Sequence, residues 1–498
     1  MENTDVAQVA ALGGALGAVL VLVPRGRVAP LVGFALLGLA TAAIAWSLVG
    51  TDDVKLLFGD LPGIALVCSA GAGAVLGAVL LARYPAVVPV AFLAVAPFRV
   101  PVQLGTDEAF LLLPLYAVLT SAVLALGYRL ALGRAATAPP LLLALPVAAF
   151  VVFISTSYLW TWDERQGGIV LAFFAFPFVA VLATIARAPV ASWLPRALLV
   201  TLAALGSLFA AIGIWQSHTR TLYFARDVEV ANAYTTWFRV TSLFKDPSMY
   251  GRYLVIPMAV LLVIVLVRRG RTIDWVAATA IVAFLFWGLY YSYSQSSFVA
   301  LFVVTFGIAV VGVDRRTRIV LVTCAALAAL TAAAVAGAAV GGRSAKEATS
   351  GRSRLVEATV EVVKARPIAG VGVGGQPRAS ADLVGKGSPS RNASHTTPLT
   401  VLAELGIVGV ALYVWLLAAA GRALYLVAEQ NRTLGIGLGA VLLALFTHSL
   451  FYAGFFEDPV TWGVLGVSAA VLSSSPRAAF AREGADERAT PGPHVLAH

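Results

Sequence analysis

A polar stretch between residues 351 and 409 contains the side chains best suited to chemistry. His395 stands just before an apolar segment, and an imidazole titrates near neutral pH, so it could act as a general base. Glu404, nine positions further on, lies inside that segment, where a carboxylate is costly and therefore indicates a functional site. Simpler interpretations stay open, namely an interfacial polar residue for His395 and a structural partner of an arginine for Glu404. We take His395 as the catalytic candidate and Glu404 as a candidate for substrate binding.

A glycine-rich turn follows Pro367 in the same stretch, and it begins with Gly370 and Gly372. Glycine adopts backbone conformations that other residues resist, and a run of exposed amide protons can cradle an anion. We therefore expect Gly370 and Gly372 to contribute to substrate binding, although such a run is weak as a motif on its own.

Two long polar segments, 218–250 and 342–396, are rich in arginine and lysine. Guanidinium groups bind phosphate bidentately, so an anionic ligand is one explanation. Contact with anionic lipid head groups is another explanation. A third is that the basic side chains extend from an aromatic belt toward the membrane surface. The first segment contains Arg239 and Lys245 among its basic residues, and the second contains Arg352 and Arg354.

The segment from Arg352 to Arg366 has the pattern of an amphipathic helix. Its apolar positions are Leu355, Val356, Thr359, Val362 and Val363, and its charged positions on the opposite side are Arg354, Glu357, Glu361 and Lys364. Pro367 should end the helix, because proline lacks an amide proton and restricts the residue before it. The pattern predicts a helix that lies on a surface.

The composition places these candidates in a membrane protein. Of the 498 residues, 60% are hydrophobic and 12% are charged, and the mean hydropathy is +0.88, which excludes an ordinary soluble domain. Cys68 and Cys324 both fall in apolar segments, so neither a disulfide framework nor a cysteine metal site is expected. No spacing matches a zinc site, a Walker loop or a nucleotide-binding glycine fingerprint, and we expect no cofactor. We also expect no cleavable signal peptide, since further spans follow the apolar start.

Apolar segments of about the 20 residues that a membrane helix needs recur along the whole chain. They lie near 8–24, 28–49, 61–82, 86–104, 109–127, 139–159, 167–185, 196–216, 250–267, 274–292, 297–313, 318–341, 397–419, 433–455 and 459–475. The segment 86–104 is interrupted by Pro97, Arg99 and Pro101 and could be broken or re-entrant. The sequence thus predicts an all-α polytopic membrane protein of about 14–15 transmembrane helices.

Charges in the short connections predict the orientation. Alternate connections carry arginines, and the intervening ones are acidic, which favours an odd number of crossings with the amino terminus outside. The segments 218–250 and 342–396 are then outward-facing loops, and the second contains the amphipathic helix. We divide the chain into N-terminal transmembrane helices (1–195), a core with these outer loops (196–475) and a disordered cytoplasmic tail (476–498).

Three sequence blocks carry a resemblance to a known family. In order, they read FRVTSLFKDPSMYGRYL, then GRSRLV followed by ARPIAGVGVGG, then SHTTPLTVLAELGIVG. This order resembles the O-antigen ligase and polymerase family of bacterial envelope enzymes, and the similarity covers roughly residues 196–475. The resemblance implies a metal-independent glycosyltransferase of the bacterial cytoplasmic membrane. Such an enzyme takes a glycan from a polyisoprenyl-diphosphate carrier and passes it to a glycan or lipid acceptor outside that membrane.

The resemblance also implies roles for individual residues. Arg239 and Arg352 match arginines that would grip the diphosphate, and His395 matches the histidine at the end of the loop. Gly370 and Gly372 match the glycine turn, and Glu404, Gly406 and Gly409 match the helix that follows.

Two positions depart from the family pattern. Thr396 stands where the family usually has asparagine, which leaves the orientation of the acceptor or base open. Ser294-Gln295 replaces a common Ser-Arg pair, which removes one expected phosphate contact. Arg354 and Arg252 are the candidates to replace it.

Other functional classes remain open from the sequence. A transporter or flippase of lipid-linked glycans would also need many spans and outward basic residues, but it should show charges deep in several spans and inverted repeats. A non-catalytic membrane component of envelope assembly is another possibility, and the two departures favour it. The sugar, the linkage, the acceptor and the oligomeric state all stay open from the sequence. A ligase and a polymerase fit it equally.

Overall fold

The computed structural model describes residues 4–48, 61–104, 107–134, 137–267, 272–312, 316–317, 319–320, 352–384, 393–452 and 454–474. Within these residues, 11 helices are long and apolar enough to cross a membrane, or 12 if one bent pair forms a single span. The protein is therefore an all-α polytopic membrane protein, as the sequence predicts.

Eight α-helices and one two-stranded sheet form the described chain up to residue 186. They are α1 (Thr4–Leu22), α2 (Val28–Leu48), α3 (Leu61–Arg83), α4 (Val88–Val95), β1 (Val100–Leu104), β2 (Asp107–Leu111), α5 (Leu113–Ala131), α6 (Leu141–Ser157), α7 (Glu164–Val170) and α8 (Phe176–Ala186). Short 3₁₀ turns lie at Pro85–Val87 and Tyr158–Trp160, and a π-helical turn at Leu171–Ala175 joins α7 to α8.

In the rest of the described chain, all the regular elements are helices. Its helices are α9 (Leu194–Thr219), α10 (Arg226–Asn232), α11 (Pro247–Leu266), α12 (Thr272–Tyr290), α13 (Gln295–Gly312), α14 (Arg352–Ala365), α15 (Gln376–Val384), α16 (Thr397–Gln430), α17 (Arg432–Ser449) and α18 (Pro459–Ser473). Side chains of Asp246, Asn431 and Asp458 accept hydrogen bonds from first-turn amides and so begin α11, α17 and α18.

The doubtful segment 86–104 does not form one helix, because α4 ends at Val95 and β1 begins at Val100. The helices on either side of Tyr84 are bent by 107°. The chain then forms the hairpin β1–β2, in which Val100 pairs with Leu111, and this hairpin delays the next helix from the expected residue 109 to Leu113. The segment 459–475 gives a helix of 15 residues, Pro459–Ser473. The predicted span 318–341 lies almost entirely outside the described residues, and the tail 476–498 lies wholly outside them.

The two ends of the bundle differ. The end that carries 220–246, 291–294, 366–376 and 450–458 is here called the site face, and the other end is called the opposite face. Thr4 at the start of α1 donates from Oγ1 to Glu164 Oε2 at the site face (2.9 Å). Ser473 at the end of α18 donates to the Ala138 carbonyl (3.0 Å), which precedes α6 at the opposite face. The described residues thus begin at one face, at Thr4, and end at the other, after Ser473, which agrees with an odd number of crossings between them.

A π-helical turn lies in the most buried span, Glu164–Ala186. The amide of Phe176 donates to the carbonyl of Leu171, five residues earlier, so this turn contains one residue more than an α-helical turn. At the end of the span near the site face, a Cβ on Gly167 would overlap closely with the Val373 carbonyl. The span therefore packs directly beneath the glycine-rich turn.

The glycine-rich turn meshes with a break in α16. Gly406 has φ 64° and ψ −163°, which interrupts the helix and frees neighbouring backbone groups. The amide of Gly372 donates to the Glu404 carbonyl (2.8 Å), and the amide of Ile407 donates to the Pro367 carbonyl (2.9 Å). The two segments thus satisfy each other's backbone hydrogen bonds, as buried polar groups require.

Only glycine fits at the centre of this mesh. Gly370 and Gly406 both have positive φ, 67° and 64°. A Cβ on Gly370 would overlap with the backbone of Glu404, and one on Gly406 would overlap with the carbonyl of Ile368. Both positions therefore combine a left-handed backbone with close backbone contact.

We expect Gly406→Ala to destabilise the protein by about 2 kcal/mol or more, because alanine adds strain at positive φ and a backbone overlap. Gly421→Ala on the same helix is the matched control, since nothing lies within 4 Å of its Cβ position. The measurement is the thermal unfolding midpoint of the purified protein in detergent. Equal midpoints for the two variants would contradict the proposed mesh.

Candidate functional site

Two buried side-chain amides hold the loop that carries Arg239. Asn232 accepts from the Arg239 amide and donates to its carbonyl, both at 3.0 Å. Gln216 does the same for Ser242, at 2.7 and 2.9 Å. The half-buried Arg239 side chain donates from Nε to the Ser292 carbonyl (3.4 Å). Arg239 is therefore fixed beside the turn 291–294 at the site face.

Lys245 lies further along the same loop and is exposed. Its Nζ lies 5.2 Å from the centroid of the Phe110 ring, a cation–π contact with the hairpin. Phe110 in turn contacts Phe224, with centroids 6.4 Å apart. The hairpin that the sequence did not predict thus supports one of the predicted cations.

His395 is exposed at the end of the second polar segment, just before α16. It lines a cavity of about 160 Å³ together with Leu355, Val356, Ser394, Thr396, Leu450 and Phe451. The buried Gln376 fixes this loop by accepting from the Ser394 amide (2.9 Å), and Thr396 donates from Oγ1 to the Leu450 carbonyl (3.1 Å). Thr396, one of the departures from the family pattern, therefore ties the His395 loop to the segment after α17.

The predicted amphipathic helix is present as α14, Arg352–Ala365. Thr359 and Val362 are buried on one side, and Arg354 is exposed on the other. Val362 packs against the protein, in a cluster with Val371, Ala379 and Ala403. The first part of α14 adjoins His395, because Leu355 and Val356 line the His395 cavity.

The side chain of Arg352 lies outside the described part of the chain, although the residue begins α14. Of the two residues suggested to replace the missing arginine at position 295, Arg354 is exposed and Arg252 is buried, with 4% of its surface accessible. Arg354 is therefore the better placed to meet a ligand.

The amides of the glycine turn are occupied by the protein itself. The amide of Gly370 donates to Arg366, and that of Gly372 donates to the Glu404 backbone. The Glu404 carboxylate accepts from the amides of Gly374 and Gln376, the latter at 3.4 Å. The expected anion cradle thus holds the side chain of Glu404. Among the described residues, the hydrogen-bond partners of this carboxylate are therefore amides of the turn.

A buried polar cluster lies next to these loops, and sequence analysis named only one of its members, Arg252, as a candidate phosphate contact. Arg252 of α11 forms a salt bridge with Asp458 (3.1 Å) and donates from Nε to Nδ1 of His448 (3.2 Å). It also donates to the Gly454 carbonyl (3.3 Å) and lies over the Tyr452 ring, 5.5 Å from its centroid. Arg252 therefore organises the whole segment between α17 and α18.

His448 connects the two predicted halves of the site. Since Nδ1 accepts from Arg252, the proton of the neutral ring is on Nε2, which lies 3.1 Å from both Ser296 Oγ and the Ser248 carbonyl. Ser296 bonds to Ser294 in the turn beside Arg239 (3.1 Å). The segment just after His448 carries Leu450, which anchors the His395 loop. Arg239 and His395 are thus linked at one face through His448.

Two further charged residues, Glu457 and Arg99, lie near the cluster around Arg252. Glu457 is exposed at the surface, and partial desolvation raises its pKa against the opposing effect of Arg99 and Arg252. Burial and the charge of Asp246 raise the pKa of Tyr452 to about 12. Arg99 reaches this region because the break after α3 brings its segment back into the bundle.

The sequence contained a signal for the cluster. Arg99, Arg252 and His448 are ionisable residues within or at the edge of apolar segments, a pattern that indicates a functional role. Their partners could not be named, because Arg252 lies 196 residues from His448 and 206 from Asp458.

Residues 280–414 match the O-antigen ligase family model. The resemblance seen in the sequence blocks is thereby confirmed over this segment, which contains the turn 291–294, α14, the glycine turn and His395. Arg239, Arg252 and His448 lie outside the matched O-antigen ligase segment. A comparison with curated proteins found no match. Among the described residues, no group of three or more His, Cys, Asp or Glu side chains could hold a metal ion.

We expect Arg252→Met to destabilise the protein by about 3–5 kcal/mol, because it leaves the Asp458 carboxylate buried and unpaired. The double variant Arg252→Met/Asp458→Asn should recover part of this loss, since asparagine can still cap α18 and carries no charge. Thermal unfolding in detergent measures both.

Arg378→Met is the control for this pair, because Arg378 and Asp382 form an exposed salt bridge (3.4 Å). Its loss should cost less than about 1 kcal/mol. Identical midpoints for the single and double Arg252 variants would argue against an unpaired buried charge.

Proposed function

We propose that this protein transfers a glycan from a polyisoprenyl-diphosphate carrier to a glycan or lipid acceptor at the site face, on the outer side of the bacterial cytoplasmic membrane. The observation that carries the proposal is the O-antigen ligase match, which contains the His395 loop and the turn that holds Arg239. The many membrane spans are the second support, because both the carrier and the enzyme must occupy the bilayer.

The reaction requires neutralisation of the charge on the diphosphate more than activation of the leaving group. Diphosphate is already a good leaving group, so the enzyme must stabilise its developing charge and place an acceptor hydroxyl opposite it. Arg239 and Arg352 bind the diphosphate. Lys245 and Arg354 add positive charge around it at the site face. The acceptor oxygen attacks the anomeric carbon, the bond to the diphosphate breaks, and His395 takes the hydroxyl proton.

The buried cluster acts indirectly in this scheme. Arg252 bonds to His448 and Asp458, and His448 bonds to Ser296 in the first turn of α13. They hold the Arg239 turn and the His395 loop at a fixed separation, and in-line transfer depends on such positioning. Glu404 supports the same geometry, because its carboxylate accepts hydrogen bonds from the glycine turn.

A large cavity inside the bundle supports a lipid-borne donor. It measures about 820 Å³ and is lined mainly by apolar side chains of α4, α9, α11, α12, α17 and α18. Ala96 and Pro459 line one part of it, and they lie close in sequence to Arg99 and Asp458 of the polar region. The isoprenyl chain of the carrier occupies this cavity, with its diphosphate at the site face.

We expect His395→Ala, Arg239→Ala and Arg352→Ala each to reduce transfer at least a hundredfold, because each removes a proton acceptor or a charged ligand of the diphosphate. The assay uses purified protein, reconstituted with a polyprenyl-diphosphate glycan and acceptor, and detects the product by mass spectrometry. His218→Ala and Arg378→Ala are matched controls, since both residues are exposed. Full transfer by His395→Ala would refute the base assignment, and movement of unmodified donor without transfer would indicate a transporter.

We expect Gly463→Phe to raise the KM for the lipid donor about tenfold, because it fills the cavity where Gly463 contributes to the lining. Gly439→Phe is the control, as neither glycine has an atom within 4 Å of its Cβ position and only Gly463 is among the cavity-lining residues. Water-soluble short-chain donors should be used equally well by both variants. A raised KM for short-chain donors would show that the substitution disturbs the site itself.

A further inference from the structure

Four arginines converge on one cavity at the opposite face of the bundle. The cavity measures about 160 Å³, and its lining includes Arg25, Arg27, Arg134 and Arg187. They come from separate connections: the first two join α1 to α2, Arg134 follows α5, and Arg187 follows α8. The fold thus gathers positive charge from three places in the chain.

Arg187 is the buried member of this group, with 4% of its surface accessible. Its guanidinium donates to the carbonyls of Ala183 (3.1 Å) and Val21. Burial lowers its pKa to about 10, so the side chain remains charged at neutral pH. Carbonyl dipoles compensate a buried charge only in part, and a buried cation is normally paired with an anion.

None of the described residues that line the cavity carries a carboxylate. In the part of the chain that the structure describes, none of the four arginines forms a salt bridge. Like charges around a small cavity repel one another, so the arrangement destabilises the protein unless an anion enters.

The backbone is shaped to bring two of these arginines together. Gly133 has φ 69° and reverses the chain at the end of α5, which turns Arg134 back so that its amide donates to the Arg129 carbonyl (2.9 Å). A Cβ on Gly133 would overlap with Nη1 of Arg27. The guanidinium of Arg27 therefore packs directly against this turn.

We propose that this cavity binds a phosphate-bearing anion, either the head group of an anionic phospholipid or a free phosphate. Guanidinium groups match phosphate oxygens bidentately, and several can share one phosphate. The position suits a head group, since Val28 beside Arg27 and Leu132 beside Gly133 expose 71% and 52% of their surfaces, as apolar side chains in contact with lipid do. This site is separate from the glycan-transfer site and does not depend on it.

The test compares two double variants of the full-length protein in detergent. Arg27→Gln/Arg134→Gln removes two exposed cavity arginines, and Arg422→Gln/Arg432→Gln removes two exposed arginines at the same end of the bundle but outside the cavity. Both variants therefore lose two positive charges. Thermal unfolding is followed during titration with phosphatidylglycerol, phosphatidylcholine or inorganic phosphate, and native mass spectrometry counts bound molecules.

We expect phosphatidylglycerol to stabilise the unaltered protein more than phosphatidylcholine does, and the cavity variant to bind it at least about tenfold more weakly. The control variant should retain its affinity. Stabilisation by inorganic phosphate that the cavity variant loses would identify a free anion as the ligand instead of a lipid. The proposal is overturned if no anion stabilises the protein, or if both double variants weaken binding equally. A cooperative unfolding transition without ligand, at a midpoint no lower than that of the unaltered protein, shows that the cavity variant folds.

Discussion

The site face depends on one constraint: backbone polar groups that leave a helix inside an apolar bundle must find partners within the protein. The break of α16 at Gly406 frees backbone groups of Ala403, Glu404 and Ile407, and the segment after Pro367 binds them. This exchange holds α14 above the bundle, places the carboxylate of Glu404 under the glycine turn, and fixes where the chain enters α16. The loop with His395 is positioned as a result.

Side-chain amides serve the same purpose where no second backbone segment is available. Asn232 and Gln216 bind the loop of Arg239 as a neighbouring strand would, with one donor and one acceptor each. Gln376 joins α14, α15 and the His395 loop through Thr359, Ser380 and Ser394. Irregular loops can therefore present charged side chains without a sheet to support them, which is how an all-α membrane protein can build a polar site.

Much of this arrangement was predictable from the sequence, for physical reasons. Hydropathy and helical periodicity are local properties, so the spans and the amphipathic helix at Arg352–Ala365 follow from the residues themselves. The resemblance of the sequence blocks located the polar loops. The position of the glycine turn was predicted, but its hydrogen bond to Glu404 was not, because that contact forms only in the folded chain. The partners of Arg252 were missed, since they are distant in sequence and meet it only in the folded bundle.

The π-helical turn at Leu171–Ala175 sets the rotational phase of its span. An α-helix advances by about 100° per residue, so one extra residue turns everything after it by that angle. The span must place Gly167 against Val373 at one end and Arg187 against the Val21 carbonyl at the other. Deletion of a single residue from the bulge would leave the contact of Gly167 intact and rotate Arg187 about a quarter turn away from the Val21 carbonyl. The span could then no longer make its contacts at both faces.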